Sequence, residues 1–346
     1  MKAAVAWTLV AAALFGASAP AAKLLLAATS PLLLAGLLYL GAGLAALLIG
    51  GLAPRTGEAR LTRADAPWLA GAIVIGGVVG PLLLMVGLER TSATAASLLL
   101  NLEVVFTTLL AALLFHEAIG RRGVVALVLI VTGAAILTFD RSAGHATTVW
   151  GPLAVAGACA AWGLDNNLTQ KLSARDPLAV VRWKGLCAGA FSLAVGLLAH
   201  GRLPPARAIL GGLAVGALGY GLSLALVVRA MRELGAARTG MLFATAPFAG
   251  ALVSIPLLHE RPTVALAAAA GVLALGVLFI ARERHEHPHT HDAIAHEHRH
   301  VHDAHHQHAH DRDYGPEPHV HPHAHEPVTH RHPHAPDLHH RHRHKH

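Results

Sequence analysis

Cysteine is nearly absent from this 346-residue chain, which holds only Cys159 and Cys187. Both sit inside apolar runs, so no disulfide framework is indicated. Aromatic residues make up 5% and charged residues 14%, against 54% hydrophobic. A mean hydropathy of +0.49 is too apolar for an ordinary soluble domain. No basic stripe with interleaved aromatics occurs, so nucleic acid is not an expected partner. No nucleophile–base constellation or phosphate-cradling glycine loop stands out either, and an enzyme is not expected.

What is present divides sharply at residue 281. Residues 1–281 hold 10 Asp/Glu, 19 Lys/Arg and 4 His; residues 282–346 hold 10 Asp/Glu, 8 Lys/Arg and 24 of the 28 His. An apolar body of formal charge +9 is therefore followed by a histidine-rich tail of −2. The excess of 22 Arg over 5 Lys, with abundant Ala and Gly, fits a GC-rich bacterial genome.

Apolar runs of about 17–25 residues recur along the body, each long enough to cross a hydrocarbon core of about 30 Å as a helix. They fall at 3–22, 31–52, 67–88, 92–115, 123–139, 149–170, 177–199, 207–229, 236–258 and 262–281. Apolar residues surround each run rather than one face, as lipid and neighbouring helices require. The expected fold class is an all-α integral membrane protein of ten transmembrane helices. Met1-Lys2 and Ala17-Ser18-Ala19 imitate a cleavable signal peptide. Phe15-Gly16, however, matches Trp162-Gly163, with Lys23 falling opposite Gln170, so the first run reads as a retained counterpart of the sixth.

A shift of 143 residues places Leu99 on Leu242, Leu114 on Leu257 and His116-Glu117 on His259-Glu260. Two five-helix repeats follow, over 1–139 and 149–281. Five is odd, so the second must enter the membrane in the opposite sense, the inverted-repeat plan of many secondary transporters. With the N-terminus inside, inner loops collect ten Lys/Arg and outer loops six, which places both chain ends in the cytoplasm. The expected location is a bacterial inner membrane.

The stretch from Ala93 to Glu117, with Leu102-Glu103-Val104-Val105-Phe106 at its middle and an acidic end, resembles the fourth-helix signature of EamA-type transporters in the drug/metabolite transporter superfamily. Ala236 to Glu260 repeats the outline around Ala246-Pro247-Phe248, and Trp162-Gly163 followed by Asn166 and Gln170 is similar to the family's sixth helix. The resemblance implies ten helices and transport, often export, of amino acids, metabolites or drugs. Val104 stands where the family commonly has proline, which weakens the case for a kink there; Pro247 keeps it in the second half.

Ionisable groups at membrane depth are expensive and mark functional candidates. Glu103 lies 12 residues from both Thr91 and Phe115, about 18 Å from either end. With Asn101, Thr107 and Thr108 nearby, it suits an amine-bearing substrate, a coupling proton, or a fixed packing hydrogen bond. The sixth run carries Trp162, Asp165, Asn166, Asn167 and Gln170, and Asn166 and Gln170 share a face. These residues line a cavity or a helix interface; Trp162 is a substrate wall or simple packing. Arg182 and Lys184 snorkel to the interface, or Arg182 pairs with Asp165 as a gate. Arg238 reads as interfacial, and Glu117 and Glu260 as polar helix ends.

The tail lacks apolar runs, so disorder is expected. Its His-x-His series run through His285, His287, His289 and His291; His296, His298, His300 and His302; and His319, His321, His323 and His325. Such imidazoles suit Ni, Co, Zn or Cu, and the same residues could sense pH. No cofactor is required by the body. Three functions follow: an exporter of a small organic solute, a divalent-metal exporter served by the tail, or a non-transporting membrane metal sensor. Partners are membrane lipid, a small-molecule solute, divalent metal ions and a second copy of the chain in a homodimer.

Overall fold

The computed structural model describes residues 2–52, 59–115, 119–140, 149–173, 175–281 and four tail segments, 285–291, 294–300, 319–325 and 328–334. The body is helical. In chain order the helices are α1 (Lys2–Leu26), α2 (Pro31–Leu52), α3 (Ala66–Gly71, Ala72–Val79 and Gly80–Arg90, end to end) and α4 (Ala93–Leu99, then Leu102–Phe115). Next come α5 (Arg121–Phe139), α6 (Trp150–Thr169), α7 (Pro177–His200) and α8 (Ala206–Val215, Gly216–Leu222 and Ser223–Leu234). Last are α9 (Ala236–Phe243, then Ala246–Leu258) and α10 (Val264–Ala281).

Among the described residues, nine of these stretches are long and apolar enough to cross a membrane. The other, α6, has 20 residues but carries Asp165, Asn166 and Asn167. It runs antiparallel along α3, with Val155 beside Gly87, Trp162 beside Gly80 and Asp165 against Gly76. Local chemistry sets several ends. Ser92 accepts from the Ala95 N–H at 3.0 Å to cap α4, and Asp176 accepts from the Leu178 N–H at 2.9 Å to cap α7.

Irregularities recur between the halves. An offset of 143 residues carries Val79 to Leu222, Ala93 to Ala236 and Arg121 to Val264. The π-helical stretch Ala72–Val79 thus reappears as Gly216–Leu222, and the interruption of α4 reappears in α9. The α4 interruption forms without the family's proline. Asn101 Nδ2 donates to the Leu98 carbonyl at 2.8 Å, taking an acceptor the helix would use. The Glu103 N–H then turns to Leu100 O at 3.0 Å and the Val104 N–H to Asn101 O at 3.3 Å. Val104 therefore does not remove the break, and the Asn101 amide takes part in it.

The halves interlock through small residues. Gly16 of α1 lies on Ala246 and Gly250 of α9, while Gly163 of α6 lies on Phe106 and Thr107 of α4. Helices α2 and α7 are antiparallel (Leu33 at Gly196, Gly43 at Leu186), as are α5 and α10 (Ile130 at Gly276, Gly133 at Leu273). Ser223 of α8 donates to Ala11 O of α1 at 2.9 Å, and Ala4 packs with Ala230 and Leu234. These pairings place residues 2, 52, 234 and 281 at one end of the bundle, here the terminal end. Residues 26, 90, 200 and 258 lie at the far end.

Beyond the body, four short segments of the tail are described. Its described segments form β1 (His285–His291), β2 (Ile294–His300), β3 (His319–His325) and β4 (Val328–His334), paired antiparallel as β1–β4 and β2–β3. A strict His-x-His alternation has the two-residue period of a strand.

The Gly16–Gly250 crossing admits no side chain, because a Cβ on Gly250 would sit 2.6 Å from the Gly16 carbonyl oxygen. Overpacking here should cost about 1–3 kcal/mol. Gly16→Val is expected to lower the melting temperature in detergent by roughly 5 °C. Gly271→Ala, where a Cβ meets nothing within 4 Å, should leave it unchanged or raise it.

Candidate functional site

A cavity of about 1130 Å³ opens between the halves. Helices α1, α2, α4, α5, α6, α7, α8, α9 and α10 all contribute to its wall. Its lining runs from Asn101, Glu103 and Pro247 out to Leu234, Gly235, Arg238 and Ala281. The cavity thus reaches the terminal end of the bundle.

The wall is organised around the π-helical stretch of α3. There the backbone departs from the usual hydrogen-bond spacing, and such stretches often mark functional sites. The Gly76 carbonyl receives two side-chain donors, Tyr39 Oη at 2.7 Å and Trp162 Nε1 at 3.0 Å. Gly76 has no Cβ, which lets the Asp165 carboxylate lie against its backbone. Asp165 then pairs with Lys184 of α7 and accepts from Thr169 Oγ1 at 3.3 Å. The side chains of Lys184 and Asp165 are 17% and 7% exposed. The pair is largely removed from solvent, and each charge depends on the other.

In front of this wall stands Glu103. Asn166 Nδ2 donates to Glu103 Oε1 at 2.8 Å and to Thr107 Oγ1 at 3.1 Å. Asn167 turns away from the cavity and ties the helices together, donating to Thr107 O at 3.1 Å and Gly163 O at 2.8 Å. An ionised carboxylate has about four acceptor positions, so Glu103 keeps capacity for a donor on a bound solute. Aromatic rings close the opposite side. Phe15 meets Tyr220 edge-on at 5.5 Å and Phe243 at 5.4 Å, and Tyr39 lies 6.0 Å from Tyr220.

The structure brings Asn101, Glu103, Trp162, Asn166 and Pro247 together in one cavity. Asp165 lies just behind its wall. Gln170 begins a short turn past the end of α6, and neither it nor Arg182 is in the lining. Asp165 pairs with Lys184 and not with Arg182, because residues 182 and 184 point about 200° apart on a helix. Lys184 accordingly does not snorkel to the interface, and Arg238 lines the cavity mouth instead of lying purely at the interface. Tyr39, Tyr220, Phe15 and Phe243 escaped the sequence reading. Their scarcity was the available signal: the whole chain has three tyrosines, and two of them line this cavity.

Glu260 makes a long-range contact at the far end, while His116 and Glu117 lie outside the described residues. Of the tail histidines, His302 also lies outside them; the others named fall on β1, β2 and β3. Among the described residues no group of three or more His, Cys, Asp or Glu is placed to hold a metal ion.

Comparison with known proteins agrees with this architecture. The chain is 30% identical over 285 residues to an uncharacterized transporter of Methanothermobacter thermautotrophicus (strain Delta H), covering 77% of this chain and 82% of that protein. A solved crystal structure shares the fold at a TM-score of 0.58 and 20% identity, over 80% of this chain and 97% of the other. The model of the EamA-like transporter family matches twice, over residues 2–139 and 149–282. This multi-pass membrane protein belongs to the EamA-like transporter family.

Proposed function

We propose that the chain is a secondary transporter of the drug/metabolite type that exports a small organic solute by alternating access. Ten helices cross the membrane as two inverted five-helix repeats, over 1–139 and 149–281. The recurrence of the π-helical stretch and of the α4 interruption at a constant offset supports the repeats. The antiparallel pairing of α2 with α7 and of α5 with α10 supports their inversion. Both chain ends are cytoplasmic in a bacterial inner membrane, in keeping with the positive charge of the loops on that side. The cavity that reaches the terminal end then faces the cytoplasm, where an exporter collects its cargo.

The observation that carries this reading is Glu103, held by Asn166 at 2.8 Å inside the cavity. Its carboxylate receives the cationic or amine group of the solute, and the aromatic cluster covers the apolar part. Lys184 and Asp165 hold the wall behind it. Gln170 and Arg182 act outside the lining, at the cytoplasmic rim. The tail is a separate device. Its backbone register sets histidine opposite histidine at 285/334, 287/332, 289/330, 296/323, 298/321 and 300/319. That pattern favours a second reading, in which the tail binds divalent Ni, Co, Zn or Cu beside the transport pathway.

Expressing cells screened against amino acids, drugs and metal salts should gain resistance to an organic compound. Glu103→Gln should lower that resistance and the matching vesicle flux by about tenfold, as expected for one lost charge-assisted contact; equal resistance in both removes Glu103 from the mechanism. Lys184→Met should sharply reduce folded protein, since breaking a buried pair costs about 3–5 kcal/mol. The double change Asp165→Asn with Lys184→Met should restore the yield measured by fluorescence size exclusion. Deleting residues 282–346 should abolish Ni²⁺ or Zn²⁺ binding measured by calorimetry while organic-solute flux persists; metal resistance lost with flux would favour a metal exporter.

A further inference from the structure

The far end of the bundle is tied by a knot that the cavity does not use. Glu260, just beyond α9, accepts the N–H of Ala93 at 2.7 Å, the N–H of Thr94 at 2.9 Å and the hydroxyl of Thr94. Beside it, Lys23 Nζ at the end of α1 donates to Leu88 O of α3 at 2.9 Å and to Thr91 O. One cluster therefore joins the end of α9 to the start of α4, and α1 to the turn after α3. It bridges the halves on the far side of the α1–α9 crossing at Gly16 and Gly250, where Ser97 packs against Gly250.

We infer that Glu260, Thr94 and Lys23 form the latch that keeps the far mouth shut, and that its release opens the cavity to that side. The inference rests on the alternating-access reading. Charge-assisted hydrogen bonds to backbone donors are strong, yet they break as a unit when one helix end moves. Glu260 acts on the mouth through α4 and is a positioning residue. The sequence makes the two ends unequal. The 143-residue offset carries Thr94 to Ala237, which has no hydroxyl, and Lys23 matches the uncharged Gln170. The matched positions offer neither that hydroxyl nor that ammonium, and the cavity already reaches the terminal end, so the resting protein favours far-end closure.

The test uses the full chain in nanodiscs, with Cys159 and Cys187 changed to serine and a charged maleimide as probe. Gly240→Cys reports the terminal mouth, since Gly240 lines the cavity and a Cβ there meets nothing within 4 Å. Ser97→Cys reports the far end, where Ser97 is 1% exposed. Glu260→Gln should raise labelling of Ser97→Cys by about tenfold and slow labelling of Gly240→Cys, because one population grows at the other's expense. Thr94→Val should move both rates the same way by less, and serves if Glu260→Gln fails to fold. Unchanged rates, or both reporters faster together as in general loosening, would overturn the latch. No transported solute is needed, so a failed flux assay and a failed latch remain distinct results.

Discussion

A polar group placed in oil has to find a partner there, and that requirement organises the middle of this bundle. Its centre is the Gly76 carbonyl, which takes donors from Tyr39 of α2 and Trp162 of α6. The missing side chain at Gly76 leaves room for Asp165, and Asp165 is neutralised by Lys184 of α7. Four helices from both halves are thereby fixed around one backbone position. Glu103 and Asn166 stand in front of this finished wall, so their polarity faces the cavity without weakening the packing behind them.

The two halves share a backbone plan but not a chemistry. The π-helical stretch and the interrupted fourth helix recur at the same offset, so the irregular geometry belongs to the repeat. The same offset carries Glu103 to Ala246 and Val104 to Pro247. One half therefore supplies the carboxylate and the other supplies proline at the corresponding bend. Each half's first helix rests on the other's fourth through a glycine. A movement of either half must then be felt at the cavity, which is what a shared passage between rocking halves requires.

Most of the helices could be read from the chain because long apolar runs admit few alternatives. Glu103 and Asn166 could be singled out because each is chemically foreign to its run. Which way a side chain turns is a different matter when hydrophobicity surrounds the helix. Nothing periodic distinguished Arg182 from Lys184, and only packing against α6 decides that Lys184 meets Asp165. Val104, standing where family habit puts proline, weakened the case for a bend in α4, yet the helix breaks there, with the Asn101 amide competing for Leu98 O. Tyr39 and Tyr220 come from helices far apart in sequence and meet only once the halves interlock.

The central claim is that two oppositely inserted five-helix units enclose one passage, and side-specific mapping of loop positions tests it most directly. Single cysteines at Lys2, Thr29, Gly201 and Ala281, probed in intact cells with an impermeant reagent, would report their faces. The account predicts that positions 2 and 281 share one face while 29 and 201 share the other. Finding positions 2 and 281 on opposite faces would contradict it.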